Sequence, residues 1–80
     1  MDARTAARLY ASMELHNYIL QGVRRYFSCV QDREDAKQGA WEKIVRCGPR
    51  GCSLTLAKHI AGAAIYAAWK RAYRARKHSE

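Results

Sequence analysis

Apolar positions along the first third of the chain recur at Leu9, Met13, His16, Leu20, Val23 and Phe27, in alternating steps of four and three. That spacing is one face of an α-helix turned towards its neighbours. Only Gly22 interrupts it, and Asp2 is placed to cap its start. The pattern predicts one helix over residues 3–29, bent near His16–Asn17. Val30–Gln31–Asp32 reads as a short turn, with Asp32 as N-cap and Glu34 and Asp35 in the first turn, where negative charge is favoured. A second helix follows over 33–46, with Ala36, Ala40, Ile44 and Val45 facing inwards. The run Cys47–Gly48–Pro49–Arg50–Gly51–Cys52 breaks it. Ser53 is then placed to cap a third helix over 54–77.

The third helix has three distinguishable faces. Projected at about 100° per residue, Ala61, Ile65, Ala68, Ala72 and Ala75 share one side, which Ala57, Ile60, Ala64 and Ala67 widen. Such small side chains let another helix approach closely. Tyr66, Trp69, Tyr73 and Arg76 form a flanking stripe, and Lys70, Arg74 and Lys77 lie opposite the small face. Rings stack on unpaired bases while cations follow phosphates, so this arrangement suits single-stranded or melting DNA. Aromatic stripes more often seal the edge of a core, and these rings could do the same.

Eighty residues, 49% of them hydrophobic, bound the chain to one domain with a modest core. The expected fold is all-α, a compact three- to four-helix bundle. The net charge of +8 is uneven: Lys70, Arg71, Arg74, Arg76 and Lys77 stand against Glu80 alone in the last eleven residues. A concentrated positive end favours a polyanion, because Lys and Arg on phosphates release counterions. Basic residues also suit a helix C-terminus. Three cysteines, an odd number, point to a reducing, cytoplasmic setting with free thiols. The apolar run Ile60–Trp69 is too short to span a bilayer, so no membrane association is expected.

Other chemistry finds little support. Cys47 and Cys52 with Cys29 and one of His16, His59 or His78 could be imagined around zinc, but the spacing is not that of a zinc knuckle. Gly48–Pro49–Arg50–Gly51 lacks the Lys–Ser/Thr that grips a nucleotide. The histidines have no Ser or Cys partner at a defined spacing. Neither an enzyme nor a cofactor is expected.

Val23-Arg24-Arg25-Tyr26-Phe27, then Asp32-Arg33-Glu34-Asp35-Ala36, then Ile60-Ala61 through Trp69-Lys70-Arg71 to Arg74-x-Arg76-Lys77 occur in an order and spacing that resembles region two of the sigma-70 family of bacterial transcription initiation factors. The likeness covers residues 9–78 and is closest to the extracytoplasmic-function group. It implies a helical bundle whose second helix docks on the β′ clamp helices of RNA polymerase, here through Asp32, Glu34, Asp35, Gln38, Trp41 and Glu42. It implies that the last helix and preceding loop hold promoter or unpaired DNA, here through Arg50, Tyr66, Trp69, Lys70, Tyr73, Arg74, Arg76 and Lys77. Arg24 and Arg25 would add phosphate contacts. An anti-sigma factor is a further partner class the resemblance brings with it. Residues 32–42 hold four acids and two bases, a local reversal of sign that fits a basic partner.

The chain departs from the family pattern in three places. Ala63 and Ala67 stand where the family commonly has Asn and Asp, which weakens the case for sequence-specific minus-ten recognition. Trp41 stands at a usually polar position, as an altered polymerase contact or an extra core anchor. No helix-turn-helix region four follows, which suggests an orphan, a fragment or a repurposed protein. The alternative expectation is a protein-interaction module that binds polymerase, or pairs with itself, without reading DNA.

Overall fold

The computed structural model describes the backbone of residues 1–79 and the side chains of residues 1–76. It contains α1 (Ala3–Tyr10), α2 (Met13–Tyr26), α3 (Val30–Cys47) and α4 (Leu54–Ser79). The described residues include no strand, and the architecture is an all-α helical bundle. α4 lies lengthwise across α2 and α3, and α1 folds back over the end where α3 turns into α4.

The expected first helix is two helices. Ser12 adopts an extended backbone (φ −80°, ψ 111°), and its side chain accepts from the Leu15 amide at 3.3 Å. This cap ends α1 and restarts the chain as α2. The break resets the helical phase and therefore the buried face. Leu15, Ile19, Val23 and Phe27 are buried, each four residues after the last. Met13 is 70% exposed and Leu20 lies at the surface. The bend sits at Ala11–Ser12 rather than His16–Asn17, and helix ends at Tyr26 instead of residue 29.

α3 begins three residues earlier than the pattern suggests. Phe27 is extended and Cys29, not Asp32, occupies the N-cap position. Asp32 falls inside the first turn. The Arg33 Nε donates to the Phe27 carbonyl at 2.7 Å, tying the turn to the helix it precedes. Ala36, Ala40 and Ile44 face inwards as expected, but Val45 is 48% exposed.

The turn between α3 and α4 is held from α1. Gly51 takes φ +73°, a conformation that costs a Cβ-bearing residue about 1–2 kcal/mol. Its amide donates to Thr5 Oγ1 at 3.0 Å. The Arg8 guanidinium donates to the Cys52 carbonyl, and the chain's amino terminus to the Val45 carbonyl at 3.4 Å. Ser53 caps α4, accepting from the Leu56 amide at 3.1 Å.

Ala57, Ala61 and Ile65 of α4 are fully buried, and Ala64, Ala68 and Ala72 pack beside them. The small-residue face therefore works as read at these positions, while Ala67 and Ala75 are exposed. Glycine assists the close approach: a Cβ on Gly22 would lie 3.1 Å from Ile65 Cδ1. At about 1.5 Å per residue α4 is about 39 Å long, against a longest molecular dimension of 46 Å. Its last part thus extends beyond the innermost core layer, which ends at Ile65. None of the described helices is long and apolar enough to cross a membrane.

Candidate nucleic-acid interface

Four rings form a continuous array where α2 meets α4. Tyr26 from α2 meets Tyr66 edge-on (centroids 6.0 Å) and Trp69 at a tilt (5.5 Å). Trp69 stacks on Tyr73 at 5.6 Å with planes 26° apart. Tyr66 and Tyr73 are 47% and 55% exposed, while Tyr26 and Trp69 are half-buried. One edge of the array therefore closes the core and the other faces solvent. Steps of three and four keep Tyr66, Trp69 and Tyr73 on one side of α4. Tyr26, forty residues before Tyr66, joins them only through helix packing.

Cations line the outer side of the array. Lys70 and Arg74 on this side, and Arg71 turned towards the α3 groove, are exposed and make no ion pair with any described residue. Arg76 is 78% exposed, with Nη2 4.0 Å from Asp32 Oδ2. The Lys77 side chain lies outside the described residues. Arg25 joins from α2, in a half-open groove of about 470 Å³ that continues the array towards the start of α4. Tyr18, Gln21, His59 and Tyr66 share this groove with Arg25, and Gly62 and Ala63 form part of its floor. Lys58 marks its upper end, 2.6 Å from Glu14 Oε1 and 5.7 Å from the Tyr18 ring centroid.

Two expected DNA contacts stand apart. Arg24 is exposed but does not line the groove that Arg25 enters. Arg50 is exposed in the turn before α4. Twenty residues separate it from Lys70, most of them helical, so it sits at the opposite end of α4. Conversely, Tyr18, Gln21 and His59 line the groove and Tyr26 joins the site rings, although none of the four is among the residues expected at the DNA face. The aromatic and basic identities of Tyr18 and His59 were visible signals. Their placement opposite Arg25 and Tyr66 was not.

The expected polymerase set divides into two stripes. Asp32, Asp35 and Glu42 line a groove of about 560 Å³ against Ala64, Ala67 and Arg71 of α4. Glu34, paired with Lys37 at 3.1 Å, is exposed, and Gln38 and Trp41 lie beside Tyr10 of α1. Trp41 is half-buried in a second ring cluster, 5.0 Å from Tyr10 and 4.8 Å from His16 between centroids. His16 Nε2 donates to the Tyr10 carbonyl at 2.6 Å. Trp41 thus anchors α1 and α2 onto α3 while leaving an edge beside Gln38 and Val45. Among the described residues no three His, Cys, Asp or Glu side chains are grouped to hold a metal ion. Cys29 and Cys47 are exposed free thiols and Cys52 is a buried one.

The chain matches no known protein-family model, no curated protein and no solved structure.

Proposed function

We propose that this protein is a non-catalytic, sigma-like transcription module that binds single-stranded or promoter DNA along its α2–α4 face and RNA polymerase through α3. The observation that carries the reading is the half-exposed array Tyr26–Tyr66–Trp69–Tyr73, bordered by Lys70 and Arg74, which have no ion-pair partner among the described residues. Rings and free cations side by side are what a strand with exposed bases and phosphates requires, and stacking contributes about 1–3 kcal/mol per base. Ring–ring packing alone accounts for the half-buried Trp69. It does not account for placing two tyrosines half in solvent beside the exposed Lys70 and Arg74.

The α3 surface supplies the proposed polymerase contact, through Glu34, Gln38, Glu42 and the free edge of Trp41. Its mixture of acids and exposed apolar area fits a basic helical partner such as the β′ clamp helices. Gel shift with a single-stranded oligonucleotide tests the first contact, and association with isolated clamp helices tests the second. Retardation of the strand, weakened by Lys70→Ala, supports the reading, and its absence at micromolar protein refutes DNA binding.

One observation favours a second reading. Tyr10 (64% exposed), Val45 (48%) and the edge of Trp41 form an apolar patch at the end of the molecule away from the basic tip. A protein-interaction module that uses this patch for polymerase, or for a second copy of itself, would bind clamp helices or dimerise without shifting DNA. Size-exclusion chromatography beside the gel shift separates the two.

A further inference from the structure

A small recess of about 70 Å³ opens at the far end of the ring array, where the α2–α3 turn passes under α4. Tyr26, Ser28, Asp32, Trp69, Tyr73 and Arg76 line it. One wall is the stacked pair Trp69–Tyr73. Beside that wall stands the Asp32 carboxylate, 42% exposed. No described residue donates a hydrogen bond to it, and its nearest cation, Arg76 Nη2, is 4.0 Å away, beyond hydrogen-bond reach. Two charged acceptor oxygens are therefore left open next to an aromatic surface, within an otherwise basic interface.

This combination has a specific chemical reading. A carboxylate repels phosphate, so Asp32 is misplaced for backbone binding. It lines the same recess as Trp69 and Tyr73, where it can meet the edge of a base packed against that ring pair. Cytosine offers an amino group at its fourth position, while thymine and uracil offer a carbonyl oxygen there. The first is a donor to the carboxylate; the second is an acceptor facing an acceptor. Arg76, 78% exposed, remains open to the adjoining phosphate. Ring, acid and guanidinium thus match the plane, the amino edge and the phosphate of one nucleotide.

We infer that Asp32 is a base-selecting residue, accepting a hydrogen bond from the amino group of an unpaired cytosine stacked on Trp69 and Tyr73. This rests on the strand-binding reading above and adds a preference to it. It also puts Asp32 on the DNA face rather than the polymerase face. A hydrogen bond to a charged acceptor on one side, and an acceptor–acceptor clash on the other, give a preference of about tenfold for cytosine over thymine.

The test is fluorescence anisotropy of the full chain with oligodeoxycytidine and oligodeoxythymidine of equal length. Comparing two pyrimidines keeps ring size and stacking nearly constant. The expected result is tighter binding to the cytidine tract by about tenfold. Asp32→Asn should bring the ratio to about one, because an amide serves either base edge. Arg76→Gln should weaken both tracts and leave the ratio in place. Equal binding of the two tracts by the unaltered protein overturns the assignment of Asp32 and leaves strand binding standing. So does a ratio that survives Asp32→Asn. Failure of both tracts to bind overturns this inference and the strand-binding reading together.

Discussion

Replacing Lys70 and Arg74 together by alanine should change how strand binding responds to salt more than it changes the fold. Both side chains are exposed and free of ion pairs with described residues, and neither contributes to the core. Four cations border the ring array at its tip and in the adjoining groove: Arg25, Lys70, Arg74 and Arg76. With each neutralising one phosphate of a single strand, the logarithm of affinity falls against that of salt with a slope of about −2.8. The double variant keeps two contacts and a slope of about −1.4. Between 50 and 200 mM salt the original chain then loses about 50-fold in affinity and the variant about 7-fold. Anisotropy titration of a labelled oligonucleotide at four salt concentrations measures both slopes, with circular dichroism confirming equal helix content. A variant slope equal to that of the original chain removes Lys70 and Arg74 from the interface. A slope near zero for the original chain removes the electrostatic argument altogether.

Further expectations follow from the packing. Ile44→Ala, at a position 1% exposed, should cost about 2–5 kcal/mol in urea unfolding. Ser12→Ala removes the acceptor for the Leu15 amide and should cost about 1 kcal/mol by the same measurement. Gly51→Ala forces a Cβ into φ +73° and should lower stability by about 1–2 kcal/mol, with no loss of helical signal. The two tryptophans should report separately on ligand. Oligonucleotide should quench the Trp69 emission left in Trp41→Phe and spare the Trp41 emission left in Trp69→Phe. The reverse pattern would relocate the strand to the α1–α3 end.

Much of the bundle could be read from residue order, and the misreadings have identifiable causes. α4 was legible because its small, aromatic and basic positions keep consistent spacing from Ala57 to Arg76, and Ser53 is an unambiguous cap. The division of the first helix was hidden because Leu9, Met13 and His16 carry helical spacing straight across the break. The competing set, Leu15, Ile19 and Val23, is as apolar, and the choice between them depends on Ser12 acting as a cap. Asp32 had every local quality of an N-cap. Helix nevertheless begins at Val30, with Arg33 held by the Phe27 carbonyl, a contact no local pattern encodes. The aromatic site was half legible. Tyr66, Trp69 and Tyr73 share a stripe, but their fourth member, Tyr26, arrives from another helix. The acidic residues of α3 looked like one surface because they are close in sequence. Helical rotation turns Asp32 and Asp35 towards α4, leaves Gln38 beside Tyr10 and Trp41, and sets Glu42 on the border of both grooves.

The three bonds by which residues 1–8 grip Val45, Gly51 and Cys52 have a consequence for assembly of the chain. Each joins groups at least 44 positions apart, so each closes a long loop and is entropically costly to form before the intervening helices have packed. The opening segment thus acts as a clasp across the α3–α4 corner. Cutting it away should leave the remaining helices in contact while loosening the corner from which α4 starts, and with it the angle at which the ring-bearing end is aimed.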